Sequence, residues 1–438
     1  MRLPRIALPA LALLVVVLEI VWSLGRPDGV IFTGYTQVGE VVLQGGTPYG
    51  LPINTWPPFF LVAAAGLALA ARVSATAALL LWQVGSVLAV WGSCRILARF
   101  FEENGETLTF WPRAPDHLSF ASSAVAVPVF MAGRLILENL QHAQINLYLL
   151  FLVLLAFHRF REGRVAWGAC ALALAASLKA VPVLFVAYLV YRRRWRETAW
   201  TLGFLVVLNV ALPLVLFGPA EAAEHWRAWR AVASAEFGDP TPRFANQSLL
   251  AALKRLVTVE GGARDPVQYA LAAWSPEAVR RLFIALVALA GLGLALAFRR
   301  RSRDLGDRRS AAEVAVCLGA LPIVSPLGWK AHYSLLLAPY WVAWWGLRHV
   351  AGSGRGRAPW VVWWLSFACL TLGAEAIVGR ARVRVLESLN VILLGGLVVV
   401  GLALWVRARM PPDPTPPPRP PAASSAGSPS PSSPRAPA

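Results

Sequence analysis

Charge is what this chain has least of. Only 15% of its 438 residues are Asp, Glu, Lys or Arg, against 57% hydrophobic, where a soluble domain carries about 25% charged residues. That scarcity excludes soluble enzyme folds. Acid is scarcer than base, 23 residues to 41, and the net charge is +18. In a soluble protein such an excess would suggest nucleic acid. Here Lys and Arg sit in short clusters between apolar runs, as cytoplasmic loops do, so no nucleic-acid partner is expected. Cysteine is confined to Cys94, Cys170, Cys317 and Cys369, all inside apolar runs with no C-x-x-C or Cys/His spacing. Neither a disulfide framework nor a zinc site follows. A Walker motif, G-x-S-x-G and H-E-x-x-H are all missing, and no cage of clustered carboxylates is visible. No metal, no cofactor and no nucleotide-driven step are expected.

What is present is a succession of apolar runs from the first residues to about position 406, the pattern of an all-α polytopic membrane protein. The first run, roughly 7–24, follows Met1-Arg2-Leu3-Pro4-Arg5 and reads as an uncleaved anchor. Others lie near 57–72, 76–98, 118–137, 145–158, 165–191, 198–217, 282–298, 311–329, 332–347, 359–378 and 388–406. Basic clusters at Arg159/Arg161/Arg164, Arg192/Arg193/Arg194/Arg196, Arg299/Arg300/Arg301/Arg303 and Arg348/Arg355/Arg357 assign cytoplasmic loops.

The run 165–191 carries such a cluster at each end, so it has to go out and come back, turning near Lys179-Ala-Val-Pro182. Each arm is then about 20 Å of helix, short of the roughly 30 Å hydrocarbon core. Lys179 is left below the outer surface, where a lysine either snorkels or serves a site. For the later clusters to keep their side, 118–137 has to be a broken, non-crossing element, which Pro128 and Arg134 favour. About twelve transmembrane helices remain, with both termini cytoplasmic and Arg380/Arg382/Arg384 as an exception outside. Residues 1–409 form the membrane domain, with long outward loops at 25–56 and 218–281. Residues 410–438, rich in Pro, Ser and Ala, form a disordered cytoplasmic tail that reads as a tether.

This topology places the remaining polar residues on one face. Asp28 and Glu40 lie on the first outer loop, Lys179 at its turn, and Asn246-Gln247-Ser248 closes the second loop. The run from Glu138 to Asn146 enters a span from outside, and Pro326 to Tyr333 links two late spans. On a continuous helix Asn139, His142 and Asn146 form one stripe, with Gln141 and Gln144 beside it. Such a stripe lines a ligand site or holds helices together. His332 beside Lys330 makes a cationic pair suited to a phosphate. Cations for a phosphate, amides for hydroxyls and an acid as base fit sugar transfer. Outside the cytoplasm, where nucleotide-sugars are not available, the donor would be a lipid phosphate.

Several stretches carry a resemblance: Phe32-Thr-Gly-Tyr35 through Gly46-Thr-Pro-Tyr49, Asn54-Thr-Trp-Pro-Pro-Phe59, His142-Ala-Gln144-Ile-Asn146, Ser177-Leu-Lys179-Ala-Val-Pro182, Asn246-Gln247-Ser248-Leu249, and Ser325-Pro-Leu-Gly-Trp329 through His332-Tyr333. In this order they resemble glycosyltransferase family 87, the polyprenol-phosphate-mannose-dependent mannosyltransferases of the GT-C membrane fold. The resemblance implies an inverting transfer of a hexose, mannose first, from a polyprenyl-phosphate donor to a glycolipid or glycan acceptor. It would take place at the outer face of the cell membrane, among membrane lipids, in building the cell envelope.

By the same resemblance an acid on the first outer loop is the base. The family's Asp directly precedes the Phe matching Phe32, but Ile31 stands there, so Asp28 is the implied replacement and Glu40 the next. His332, Lys330 and Lys179 would meet the donor phosphate, with His332 also counted as catalytic. Asn139, His142, Gln144, Asn146, Asn246 and Gln247 would hold sugar or acceptor. A lipid-linked-sugar flippase is the rival reading, although alternating access needs polar groups on both sides. An inactive member that only binds lipid-phosphate sugars is another.

Overall fold

The computed structural model describes residues 7–26, 30–101, 123–238, 243–258, 266–267, 269–299, 305, 307–349 and 357–411. Asp28, residues 102–122, 300–304 and 350–356, and those from 412 onward lie outside the described residues. Every regular element among the described residues is a helix. Five helices there are long and apolar enough for a single crossing: Ala75–Phe101, Ala124–Gln141, Trp195–Phe217, Pro276–Ala297 and Val391–Arg409. This supports a polytopic helical membrane protein, with shorter apolar helices such as Pro58–Val73 and Val165–Leu178 among the described residues besides these five. The 195–217 and 276–297 helices leave Val206, Val215, Leu289 and Leu292 exposed, a surface suited to lipid chains. The 391–409 helix is wrapped by its neighbours and packs on Arg308–Val324, Leu337–His349 and Ala358–Phe367. It comes so close to 337–349 that a Cβ on Gly346 would lie 2.2 Å from Val406 Cγ2.

One expectation is overturned. Residues 123–141 form a continuous helix through Pro128, not a broken, non-crossing element. Pro128 forfeits the hydrogen bond to residue 124, a loss that membrane helices tolerate where neighbouring groups take up the freed carbonyl. Arg134 is accommodated because its Nη1 donates to Leu370 O at 2.8 Å. That carbonyl belongs to a π-helical turn, Ala368–Leu372, whose wider winding disturbs the i→i−4 ladder.

The out-and-back path of 165–191 is present. The chain runs as Val165–Leu178, breaks at Lys179, and continues through Val181–Val183 into Leu184–Tyr191. Lys179 Nζ meets Asn146 at the start of the Asn146–Arg161 helix, 3.0 Å away. Arg192 instead donates to Ser310 at the start of the 308–324 helix, at 3.2 Å. Ser325, which closes that helix, lies at the Lys179 end. The arginines therefore collect opposite Lys179, where Arg161 also donates to Arg99 O (3.1 Å).

At the arginine end a buried carboxylate ties three helices together. Glu313 is fully buried. It accepts from Tyr188 Oη at 2.8 Å and from Arg407 Nε at 3.1 Å, and Arg192 Nη1 stands 3.4 Å away. Removing one member of a buried ion pair strands the others without a counter-charge, at a cost of roughly 3–5 kcal/mol. Glu313→Ala should therefore lower the thermal unfolding midpoint of the protein in lipid nanodiscs by several degrees. An unchanged midpoint would show that the clamp does not hold these helices.

Candidate functional site

At the opposite end the polar residues meet, although not on the stripe expected of them. The 123–141 helix stops at Gln141, and residues 142–145 turn through Ala143 at φ 46° before the next helix begins at Asn146. Asn139 drives the turn, since its Nδ2 donates to Gln144 O at 2.8 Å and offers the backbone an alternative to the helix ladder. Residues from two other helices brace it. Ile31 N donates to His142 O (2.9 Å), and Trp82 Nε1 to Ala143 O (3.0 Å). Ile145 N donates to Tyr35 Oη (3.3 Å), and the Tyr35 ring stands edge-on to Trp56. Phe32-Thr-Gly-Tyr35 is thus a support for the site.

From this turn a chain of hydrogen bonds runs to the lysine. Asn146 Nδ2 donates to Asn139 Oδ1 (3.0 Å) and to Gln144 Oε1 (2.9 Å), and Asn146 Oδ1 accepts from Lys179 Nζ. Lys179 Nζ also lies 2.9 Å from His332 Nε2, while His332 Nδ1 lies 3.0 Å from Leu327 O. A carbonyl can only accept, so Nδ1 carries the imidazole proton, and Nε2 presents a lone pair to the lysine. Lys179, His332, Asn139, Gln144 and Asn146 therefore form one connected group, assembled from three separate stretches of chain.

His332 is placed by the Lys330–Leu336 3₁₀ turn and by the loop before it. Asn246 locks that loop. Its Nδ2 donates to Pro326 O (3.0 Å), and its Oδ1 accepts from Gly328 N (2.8 Å) and Ser248 N (3.1 Å). A Cβ at Gly328 would fall 2.7 Å from Ser248 N, so only glycine lets the two loops meet. Gln247 Nε2 donates to Glu387 O at 2.7 Å, and Tyr333 Oη to Gln247 O at 2.6 Å. Asn246 is fully buried and engaged with backbone at both side-chain atoms, which makes it a positioning residue rather than a sugar contact. Gln247 is equally buried, its Nε2 held by backbone and its Oε1 left without a hydrogen bond.

Lys330 points to a different set of partners. Its Nζ is 3.2 Å from both Glu138 Oε1 and Glu387 Oε1. Burial works against its charge, but the two carboxylates outweigh that and raise its pKa. Burial pushes the Glu387 carboxyl up in turn, with Lys330 offsetting only part. Both directions follow from one cation serving two acids. His142 stands beside this set, its Nδ1 3.0 Å from Glu138 O and 3.8 Å from Glu138 Oε1. Glu40 lies apart, paired through both oxygens with Arg72 at 2.9 and 2.6 Å on an open surface. The Arg72 guanidinium holds its carboxyl below the usual range.

The sequence profile of glycosyltransferase family 87 matches residues 54–326. The chain belongs to glycosyltransferase family 87. No curated protein matches it. The family match takes in Asn139, Asn146, Lys179 and Asn246 and stops just before Lys330 and His332. Glu387 lies further on, in Arg380–Ser388.

Three contributors escape sequence reasoning. Glu387 sits in an arginine-rich segment that reads as an ordinary solvated face. Glu138 reads as one member of a polar run. Asn209 lies in an apolar helix, yet a π-helical turn at Val207–Ala211 carries its Nδ2 to Ser177 Oγ, 2.6 Å away. Only its isolation as an amide in an apolar run signals it.

If Asn246 locks the histidine loop, Asn246→Ala should cost about 1–3 kcal/mol through the buried N–H groups it strands. Hydrogen exchange at Gly328 and Ser248 should accelerate, with little change at the Glu313 end. Equal protection at Gly328 in both proteins would refute the lock.

Proposed function

We propose that this family member transfers a hexose, with mannose as first choice, from a polyprenyl-phosphate donor to a glycolipid or glycan acceptor. The reaction takes place at the outer face of the cell membrane. The observation that carries this reading is the Lys179–His332 pair. It is a half-buried cation whose hydrogen-bond partners, Asn146 and the imidazole, are both neutral. A phosphate ester is a far better partner for that ammonium than an imidazole lone pair. In the complex Lys179 would donate to a phosphate oxygen. Once released from the lysine and protonated at Nε2, His332 would donate to another.

Both donors stabilise the leaving phosphate as negative charge builds on it. Asn146 and Asn139 orient the lysine, and Gln144 offers its amide group to a sugar hydroxyl. One displacement by an acceptor oxygen inverts the anomeric centre, so no nucleophile from the protein is needed, and no cofactor beyond the lipid-linked donor. The gathering of arginines at the end opposite the site supports the outward placement, since cytoplasmic loops hold excess Lys and Arg.

The test is transfer of radiolabelled mannose from polyprenyl-phosphate-mannose to membrane glycolipids by the purified protein in nanodiscs. Lys179→Met and His332→Ala should each lower transfer by about 10²-fold or more, and Lys179→Met should also weaken polyprenyl-phosphate binding. Donor binding without transfer from any of several lipid-phosphate sugars would overturn the catalytic reading and leave binding or transport.

A further inference from the structure

The shared lysine leaves two carboxylates beside the phosphate-binding group, and they differ in what they can reach. The Glu387 side chain is 4% exposed and the Glu138 side chain 15%. Glu387 Oε1 lies near Lys330 but without a hydrogen bond, deep behind the lysine. Glu138 looks outward beside the more exposed His142. It directly precedes Asn139, whose Oδ1 accepts from the Asn146 amide that also holds Lys179. The other charges facing this set are Arg134, engaged with Leu370 O, and Glu19 on the Ala7–Leu24 helix. Lys330 and His142 both approach Oε1 of Glu138, which leaves Oε2 for a ligand.

We infer that Glu138 is the general base of the transfer, aligned by Lys330, which Glu387 holds from behind. This rests on the glycosyl-transfer reading above. The acceptor hydroxyl oxygen bonds to the anomeric carbon of the donor sugar. The bond from that carbon to the phosphate oxygen breaks, its electron pair staying with the phosphate. The hydroxyl proton passes to Glu138 Oε2. Polyprenyl phosphate departs with one more negative charge, met by Lys179 and His332. Glu387 divides the lysine's attraction between two acids, so Lys330 orients Glu138 without claiming it alone.

The experiment measures mannose transfer and equilibrium binding of polyprenyl phosphate side by side, for wild type, Glu138→Gln, Glu138→Asp and Glu138→Ala. Glu138→Gln should lose about 10²–10⁴-fold in transfer, the usual worth of a general base, while binding polyprenyl phosphate within a few-fold of wild type. Glu138→Asp should fall between the two, and formate should restore part of the transfer lost in Glu138→Ala. Transfer by Glu138→Gln at the wild-type rate overturns this inference and leaves the glycosyl-transfer reading standing. Parallel loss of transfer and binding also overturns it, because Glu138 would then only hold Lys330 in place. A wild-type protein that binds polyprenyl phosphate but transfers nothing overturns both.

Discussion

Positive charge at both ends of the 165–191 run is the constraint from which the site follows. The run is too apolar to leave the bundle, and neither arm is long enough to span it. The chain therefore turns back at Lys179, and a turn among packed helices exposes backbone and side-chain polar groups that need partners away from water. Irregular backbone at such depth is tolerated only where protein or a polar cavity covers it. Here the cover comes from two further irregular stretches, the turn 142–145 and the 3₁₀ segment 330–336. Each brings one partner to the lysine, Asn146 from the first and His332 from the second. The loop at Asn246 then holds the histidine segment in place, so its amide group acts at one remove from any ligand.

Much of this was legible in the sequence for physical reasons. Charge clusters and run lengths are one-dimensional quantities, so the reversal at Lys179 could be read from arginine positions alone. The amides at 139, 144 and 146 stand out in an apolar background. Their geometry could not be read, because helical periodicity assumes an unbroken helix and Ala143 leaves that conformation. Pro128 misled in the opposite way. Its residue type disfavours a helix interior, yet the 123–141 helix runs through it, because packed neighbours can take up the freed carbonyl. Glu387 was illegible because its meaning depends on Lys330, far away in sequence, and its own neighbours are arginines that suggest solvent. For Asn246 and Gln247 the sequence announces an amide but not what the amide is bonded to. Asp28, expected as the base by resemblance, falls outside the described residues.

The two ends of the bundle treat buried charge differently, and the difference separates structure from site. At the arginine end Glu313 is matched by Arg192 and Arg407, with the Tyr188 hydroxyl completing the shell. The charges there are satisfied within the protein, so the cluster holds helices together and has no need of a ligand. At the other end no carboxylate pairs with Lys179 among the described residues, and its partners are an amide oxygen and an imidazole lone pair. Both are weak acceptors for an ammonium compared with an anion.

A half-buried cation held only by neutral dipoles keeps part of its desolvation cost uncompensated. An arriving phosphate recovers part of that cost, so affinity for an anion is stored in the folded protein before any ligand binds. Lys330 is the contrasting case, since it sits between two carboxylates and has little charge left to offer. The lysine nearest the acids is thus suited to aligning them, and the lysine remote from acids to meeting the donor. That division follows from where the carboxylates lie. It means that neutralising Lys179 from within, by placing an acid at Asn146, would remove anion affinity even while it stabilised the fold.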